Sequence, residues 1–186
     1  MHPYESVSAG KEGKIFVVDR TDMGKFSHAN NNQIVQTVLG STGGYFSSPA
    51  HWQGRIYYAG VGDVLNLYTL RGGLLSTNPV SSSTTLFPYP GPTPSVSAEG
   101  SKNGIVWAVE NAVGPAVLHA YDATDLSSEL YNSNQAGSRD QPGPAATFSV
   151  PTIADGKVYI GTTIDFDIYG LCQGRASEGS MHRSCR

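Results

Sequence analysis

Cysteine is almost missing from this chain of 186 residues. Cys172 and Cys185 are the only two, and both follow the last recognisable repeat strand, so no disulfide framework organises the body. Charge is sparse as well, at 15 % of residues, and a net charge of −3 excludes a broad basic surface for nucleic acid or anionic membrane. No apolar run reaches the roughly 18 residues that a helical membrane span needs. The opening Met1-His-Pro-Tyr-Glu-Ser6 has neither the basic nor the apolar segment of a signal peptide. Either the chain is cytosolic or an exporting leader lies outside it.

Local chemistry is equally thin. The five histidines are His2, His28, His51, His119 and His182, and no two stand three or four apart, so no metal-binding pair is written into a single turn of chain. There is no Gly-x-Ser-x-Gly nucleophile elbow, since Gly174-Arg-Ala-Ser-Glu-Gly179 has the wrong spacing. No glycine loop leads from a strand into a helix, because no stretch has convincing helical periodicity.

What the chain has instead is short alternating runs separated by turn residues, with 22 glycines and 11 prolines. The clearest unit is Leu118-His-Ala-Tyr-Asp-Ala-Thr-Asp125, an alternating strand followed by a turn in which Asp122 and Asp125 can bond nearby backbone amides. Ile15-Phe-Val-Val18 with Asp19-Arg-Thr-Asp22 is a second copy, and Leu65-Asn-Leu-Tyr68 and Phe166-Asp-Ile-Tyr169 are two more. The copies start at 15, 65, 118 and 166, at intervals of 50, 53 and 48. A second series, Gly54-Arg-Ile-Tyr57, Gly104-Ile-Val-Trp107 and Gly156-Lys-Val-Tyr159, precedes the later copies, and a third series carries Pro49, Pro94 and Pro151. Short strands in fixed order at a period near fifty predict an all-β fold: a partial β-propeller of about three blades, each a four-stranded antiparallel sheet.

The repeats occupy residues 1–171, with partial first and last blades. Tyr45–Pro49 reads as an inner strand, and Ser76–Pro94 and Asn132–Ala146 read as linkers. Residues 172–186 carry neither periodicity nor an apolar face and are expected to be a disordered tail. The glycine recurring at 54, 104 and 156 suggests a turn conformation that other residues adopt at a cost.

Gly156-Lys-Val-Tyr-Ile-Gly161, Ala120-Tyr-Asp-Ala-Thr124, Trp107 and Phe148-Ser-Val-Pro151 together resemble the pyrroloquinoline-quinone-type propeller repeat. The resemblance spans roughly residues 6–171 and is closest to bacterial repeat proteins that are secreted or periplasmic. It departs from the family at Asp125, where a glycine usually follows the turn threonine, and at Tyr131, where the family often has Trp. Quinone-dependent dehydrogenases of this architecture use adjacent cysteines, a catalytic Asp and a calcium beside the quinone. Cys172 and Cys185 are 13 apart, so those functional residues do not carry over.

Candidate site residues follow from position. In a propeller the inter-blade linkers and the turns between second and third strands open on one face, which would gather Asp63, Glu110, Asn111, Arg139, Asp140 and Asp165. Asp63, Glu110 and Asp165 are the ligand-binding candidates there, joined by Trp52 beside a turn. His119, Arg139 and Asp140 are the catalytic candidates, each weighed against a plain structural role: a hydrogen-bonded histidine between blades and a loop ion pair. No metal site is expected.

The leading expectation is a non-catalytic scaffold or binding module that engages a protein or carbohydrate partner through its loop face. The alternative is an enzyme. It would be a quinoprotein-like oxidoreductase remnant using pyrroloquinoline quinone with calcium, or a hydrolase whose site is assembled across blades. An open arc of blades leaves apolar faces wet, so a homo-oligomer or a fragment of a larger propeller is also expected.

Overall fold

The computed structural model describes residues 4–41, 43–111, 113–171 and 184–185. The chain is all-β and forms four antiparallel sheets. The first contains β1 (Glu5–Ala9), β2 (Lys14–Asp19) and β3 (Ile34–Leu39). The second contains β4 (Ala50–Trp52), β5 (Arg55–Tyr58), β6 (Asp63–Arg71), the two-residue β7 (Leu74–Leu75) and β8 (Ser81–Phe87), with both β7 and β8 pairing along β6. The third runs β9 (Ser95–Glu99), β10 (Lys102–Glu110), β11 (Val117–Asp122) and β12 (Asp125–Asn132). The fourth runs β13 (Thr152–Ala154), β14 (Lys157–Gly161), β15 (Phe166–Leu171) and β16 (Ser184–Cys185).

The four sheets pair their strands in matching register. Ser6 lies opposite Val18, Ile56 opposite Tyr68, Val106 opposite Tyr121 and Val158 opposite Tyr169. One residue along, on the other face, Val7 meets Val17, Tyr57 meets Leu67, Trp107 meets Ala120 and Tyr159 meets Ile168. Side chains alternate across a strand, so each sheet presents one set to the sheet before it and the other to the sheet after it. Three apolar layers result: Ile15 and Val17 against Ile56, Tyr58 and Tyr68; Tyr57, Leu65 and Leu67 against Val106, Tyr121 and Leu126; and Val109 and Leu118 against Val158, Ile160 and Tyr169.

The connecting turns repeat too. Asp19 accepts from the amide and hydroxyl of Thr21 (2.8 and 2.6 Å), and Asp122 accepts from the same groups of Thr124 (both 2.6 Å). Those bonds favour the ionised form and hold the Asp122 carboxyl below its ordinary value. Ser83 Oγ on β8 accepts from the Leu65 amide at 3.0 Å, and Ser133 Oγ, just after β12, accepts from the Leu118 amide at 3.1 Å.

Several expectations are corrected. Four sheets are found, one for each copy that starts at 15, 65, 118 and 166; the first has three strands and the second five, so not every unit has four. Tyr45–Pro49 is not a strand: Tyr45 is buried in the first apolar layer with its ring 4.4 Å from that of Tyr58, and Ser47 turns its carbonyl to the Tyr58 hydroxyl. The serine-rich stretch taken as linker holds β8, whose Phe87 is buried and whose serines bond to β6. Asn132–Ala146 contains two short 3-10 turns over Ser133–Arg139, joined through Ala136 and Gly137. The tail expectation for 172–183 and 186 falls outside the described residues, and Ser184–Cys185 pair with the edge of β15.

The recurring glycine proves to have two jobs. Gly54 and Gly156 take φ +68° and +69° in tight turns, as expected. Gly104 does not; the turn before β10 uses Gly100, and Asn103, inside β10, takes a positive φ where the register shifts between Lys102 and Ile105. The longer Pro94–Gly104 interval thus lengthens β9 and β10, leaving the turn itself tight. A Cβ at Gly104 would lie 2.7 Å from the Trp52 ring and 2.8 Å from Ala123 Cβ, whereas one at Gly156 meets nothing within 4 Å. Gly156→Ala should therefore cost about 1 kcal/mol through backbone strain alone. Gly104→Val should cost about 2–3 kcal/mol by wedging the second and third sheets apart. Urea midpoints for the two variants check the order, and a reversed order would mean that Gly104 is not an inter-sheet contact.

Candidate functional site

Between the third and fourth sheets the apolar layer is incomplete and leaves a groove of about 930 Å³. Its walls are Ile105, Trp107, Ala120, Leu130 and Tyr131 from the third sheet and Ile153, Val158 and Tyr169 from the fourth. Polar groups ring it: Ser97, Gln135, Arg139 and Lys157. The groove exists because β13 has three residues where β9 has five, and because Gly156 and Gly170 contribute no side chains to its rim. Trp107 Nε1 donates to Ser97 Oγ at 2.8 Å, which fixes the indole along the wall. Arg139 binds Asp140 through Nε and an Nη at 2.7 and 2.9 Å. Asp140, only 1 % exposed, also accepts from the Tyr131 hydroxyl at 2.9 Å, while its carbonyl accepts from the Tyr169 hydroxyl at 2.9 Å. Asp140 thus ties the 3-10 segment to both walls. The pair raises the Arg139 guanidinium above its ordinary value, and it stays charged at the groove edge.

His119 forms a separate cluster on the other face of the third sheet. It is 5 % exposed, with Nδ1 at 2.6 Å from Glu129 Oε1 and Nε2 at 3.2 Å from Glu110 Oε2. Its ring stacks on Tyr121 at 5.9 Å and meets the edge of Phe87 at 5.7 Å. Both ring nitrogens therefore have partners, and the position is the one that Asn66 and Asp167 occupy in the neighbouring sheets, each also buried and polar. Glu129 is the partner that sequence reasoning missed. Its nominal opposite is Tyr121, and the register shifts between Ala120 and Asp122 carry it to His119; no spacing in the sequence signals that.

The remaining candidates are dispersed. Asp63 accepts from the Val64 amide at 2.8 Å and from Asn66 at 3.2 Å, within the start of β6. Asp165 bonds the Thr162 hydroxyl within the β14–β15 turn. Arg139 shares the groove with Gly156 and Lys157, at the end of β14 opposite that turn, so the expected gathering of Arg139 with Asp165 on one face does not form. Trp52 lies over Gly104 with Nε1 donating to the Gly100 carbonyl at 3.2 Å and Arg55 stacked 5.7 Å from its ring, which makes it an inter-sheet packing residue.

Calcium and a quinone would need several oxygen ligands converging on one point. Among the described residues no group of three His, Cys, Asp or Glu side chains could hold an ion, and Glu110 and Glu129 are bonded to opposite nitrogens of His119. The two most buried carboxylates already hold Arg139 with Tyr131 and the Gly143 amide. Compared with family models, curated proteins and solved structures, the chain matches none.

Proposed function

We propose that this chain is a non-catalytic binding module built on a partial β-propeller, and that it takes an extended carbohydrate in the groove between the third and fourth sheets. The observation that carries the reading is the pairing, in one groove, of aromatic side chains with polar ones. Trp107 and Tyr131 offer flat apolar surface, and Gln135, Arg139 and Lys157 stand at the rim. Sugars have apolar C–H faces edged by hydroxyls, and a mostly apolar cleft with a few placed hydrogen-bonding groups suits them. Repeat registers shared by all four sheets support the propeller part of the reading. Support for a binding role comes from the polar candidates themselves: Asp140 and His119 are buried and bonded in ways that hold strands together.

Titrating the chain with neutral and acidic oligosaccharides, followed by tryptophan fluorescence and calorimetry, tests this. Saturable binding should weaken about tenfold in Lys157→Ala or Gln135→Ala, the loss of one hydrogen-bonding group to a ligand. The same variants should melt like the parent. Absence of binding by every saccharide at millimolar concentration would end the carbohydrate assignment. Turnover of an alcohol with quinone, calcium and a dye acceptor, or cleavage of an ester or glycoside, lost in Asp140→Asn or His119→Gln, would overturn the non-catalytic one.

A further inference from the structure

The two outer faces of the stack are not alike. The fourth sheet presents Tyr159, Phe166 and Ile168 outward; Tyr159 and Phe166 stack with ring centroids 5.7 Å apart, and Phe166 and Ile168 are 63 % and 38 % exposed. By register Tyr159 and Ile168 stand where the second sheet has Tyr57 and Leu67 and the third has Trp107 and Ala120, and Phe166 stands where they have Leu65 and Leu118, side chains directed at the sheet that follows. The fourth sheet therefore carries the same face, and among the described residues no sheet lies upon it. The first sheet has the opposite deficit. Its Ser6, Ser8, Phe16 and Val18 occupy the positions that, in the later sheets, receive the preceding one: Ile56, Tyr58, Asn66 and Tyr68 in the second, and Val106, Ala108, His119 and Tyr121 in the third. Ser6 and Ser8 are exposed, and Phe16 and Val18 are half-buried.

We infer that the outer face of the fourth sheet is a docking surface for the first sheet of a second copy of this chain. The interface would continue, between molecules, the contact that the chain makes three times within itself. One copy carries both halves of it, on its first and fourth sheets, so a second copy can supply the matching face. The small Ser6 and Ser8 leave room for the Tyr159 and Phe166 rings, as Val106 and Ala108 leave room for Tyr57 in the second layer. Such a contact is heterologous: the two surfaces that meet are different.

Light scattering coupled to size exclusion at tens of micromolar, with two variants, tests it. The parent chain should self-associate. Phe166→Asp and Phe16→Asp should each weaken association roughly 30-fold or more, as loss of a central apolar anchor does. Mixing the two variants should restore it, because the first keeps an intact first sheet and the second an intact fourth. Circular dichroism and melting check that each variant folds, and Ser8→Arg, at an exposed position opposite Phe16, replaces Phe16→Asp if that variant unfolds. A monomeric parent would overturn the inference. So would dissociation by Phe166→Asp alone, which would mean that like faces pair, or failure of the mixed variants to associate.

Discussion

Tyr57→Ala should lower the unfolding free energy by about 3–5 kcal/mol, the range for removing a large buried aromatic. Tyr57 has no exposed surface, packs in the layer between the second and third sheets, and donates its hydroxyl to the Ala123 carbonyl at 2.7 Å across that layer. Truncation removes both the filling of the layer and a bond that fixes the third sheet's turn against the second. Tyr57→Phe separates the two: it keeps the ring and should cost only about 1–2 kcal/mol, the loss of one buried hydrogen bond. Tyr159 occupies the equivalent position on the free outer face, so Tyr159→Ala in dilute, dissociated protein should change stability by less than about 1 kcal/mol. Urea titrations read the three midpoints. Equal losses for Tyr57→Ala and Tyr159→Ala would mean that the repeated register has no energetic consequence.

Alkali should unfold the protein cooperatively about one to two units above pH 10. Tyr45, Tyr57, Tyr58, Tyr68 and Tyr121 are each no more than 3 % exposed. Burial disfavours the phenolate and pushes all five hydroxyls up, that of Tyr121 to about 12 in spite of its bond to Thr85. In the unfolded chain a tyrosine titrates near ~10. With the folded value above the unfolded one, the native state holds more protons between the two. Stability is thus intact below about pH 10 and falls as pH rises through the folded values. Each tyrosine with a large shift removes about 1.4 kcal/mol per pH unit in that window, so Tyr45, Tyr57 and Tyr121 acting together would remove about 8 kcal/mol over about two units, against a typical 5–15 kcal/mol. Tyrosinate absorbance and far-ultraviolet circular dichroism should change in the same step. Ionisation of these phenols spread over several pH units with the dichroism unchanged would show that water reaches them in the folded state.

How far the sequence alone reaches depends on which property is local. All-β character, the period near fifty, the aspartate-led turns at Asp19 and Asp122 and the strands around Ile15, Leu65, Leu118 and Phe166 could all be read directly, because alternation and turn chemistry depend on residues a few positions apart. Even the outward set on the fourth sheet follows from alternation once the register is known. The serine-rich β8 could not be read this way: its composition is that of a loop, and only pairing with β6 and burial of Phe87 make it a strand. Gly104 looked like one more turn glycine and is a gap for the Trp52 ring, a neighbour about fifty residues away. The sites diverge most. Glu129 reaches His119 through register shifts, and Asp140 is enclosed by Tyr131 and Tyr169 from two sheets. The groove comes from the difference in length between β9 and β13, strands more than fifty residues apart. Periodicity decides which way a side chain points; what it meets there depends on how sheets from distant parts of the chain are set against one another, and only tertiary packing decides that.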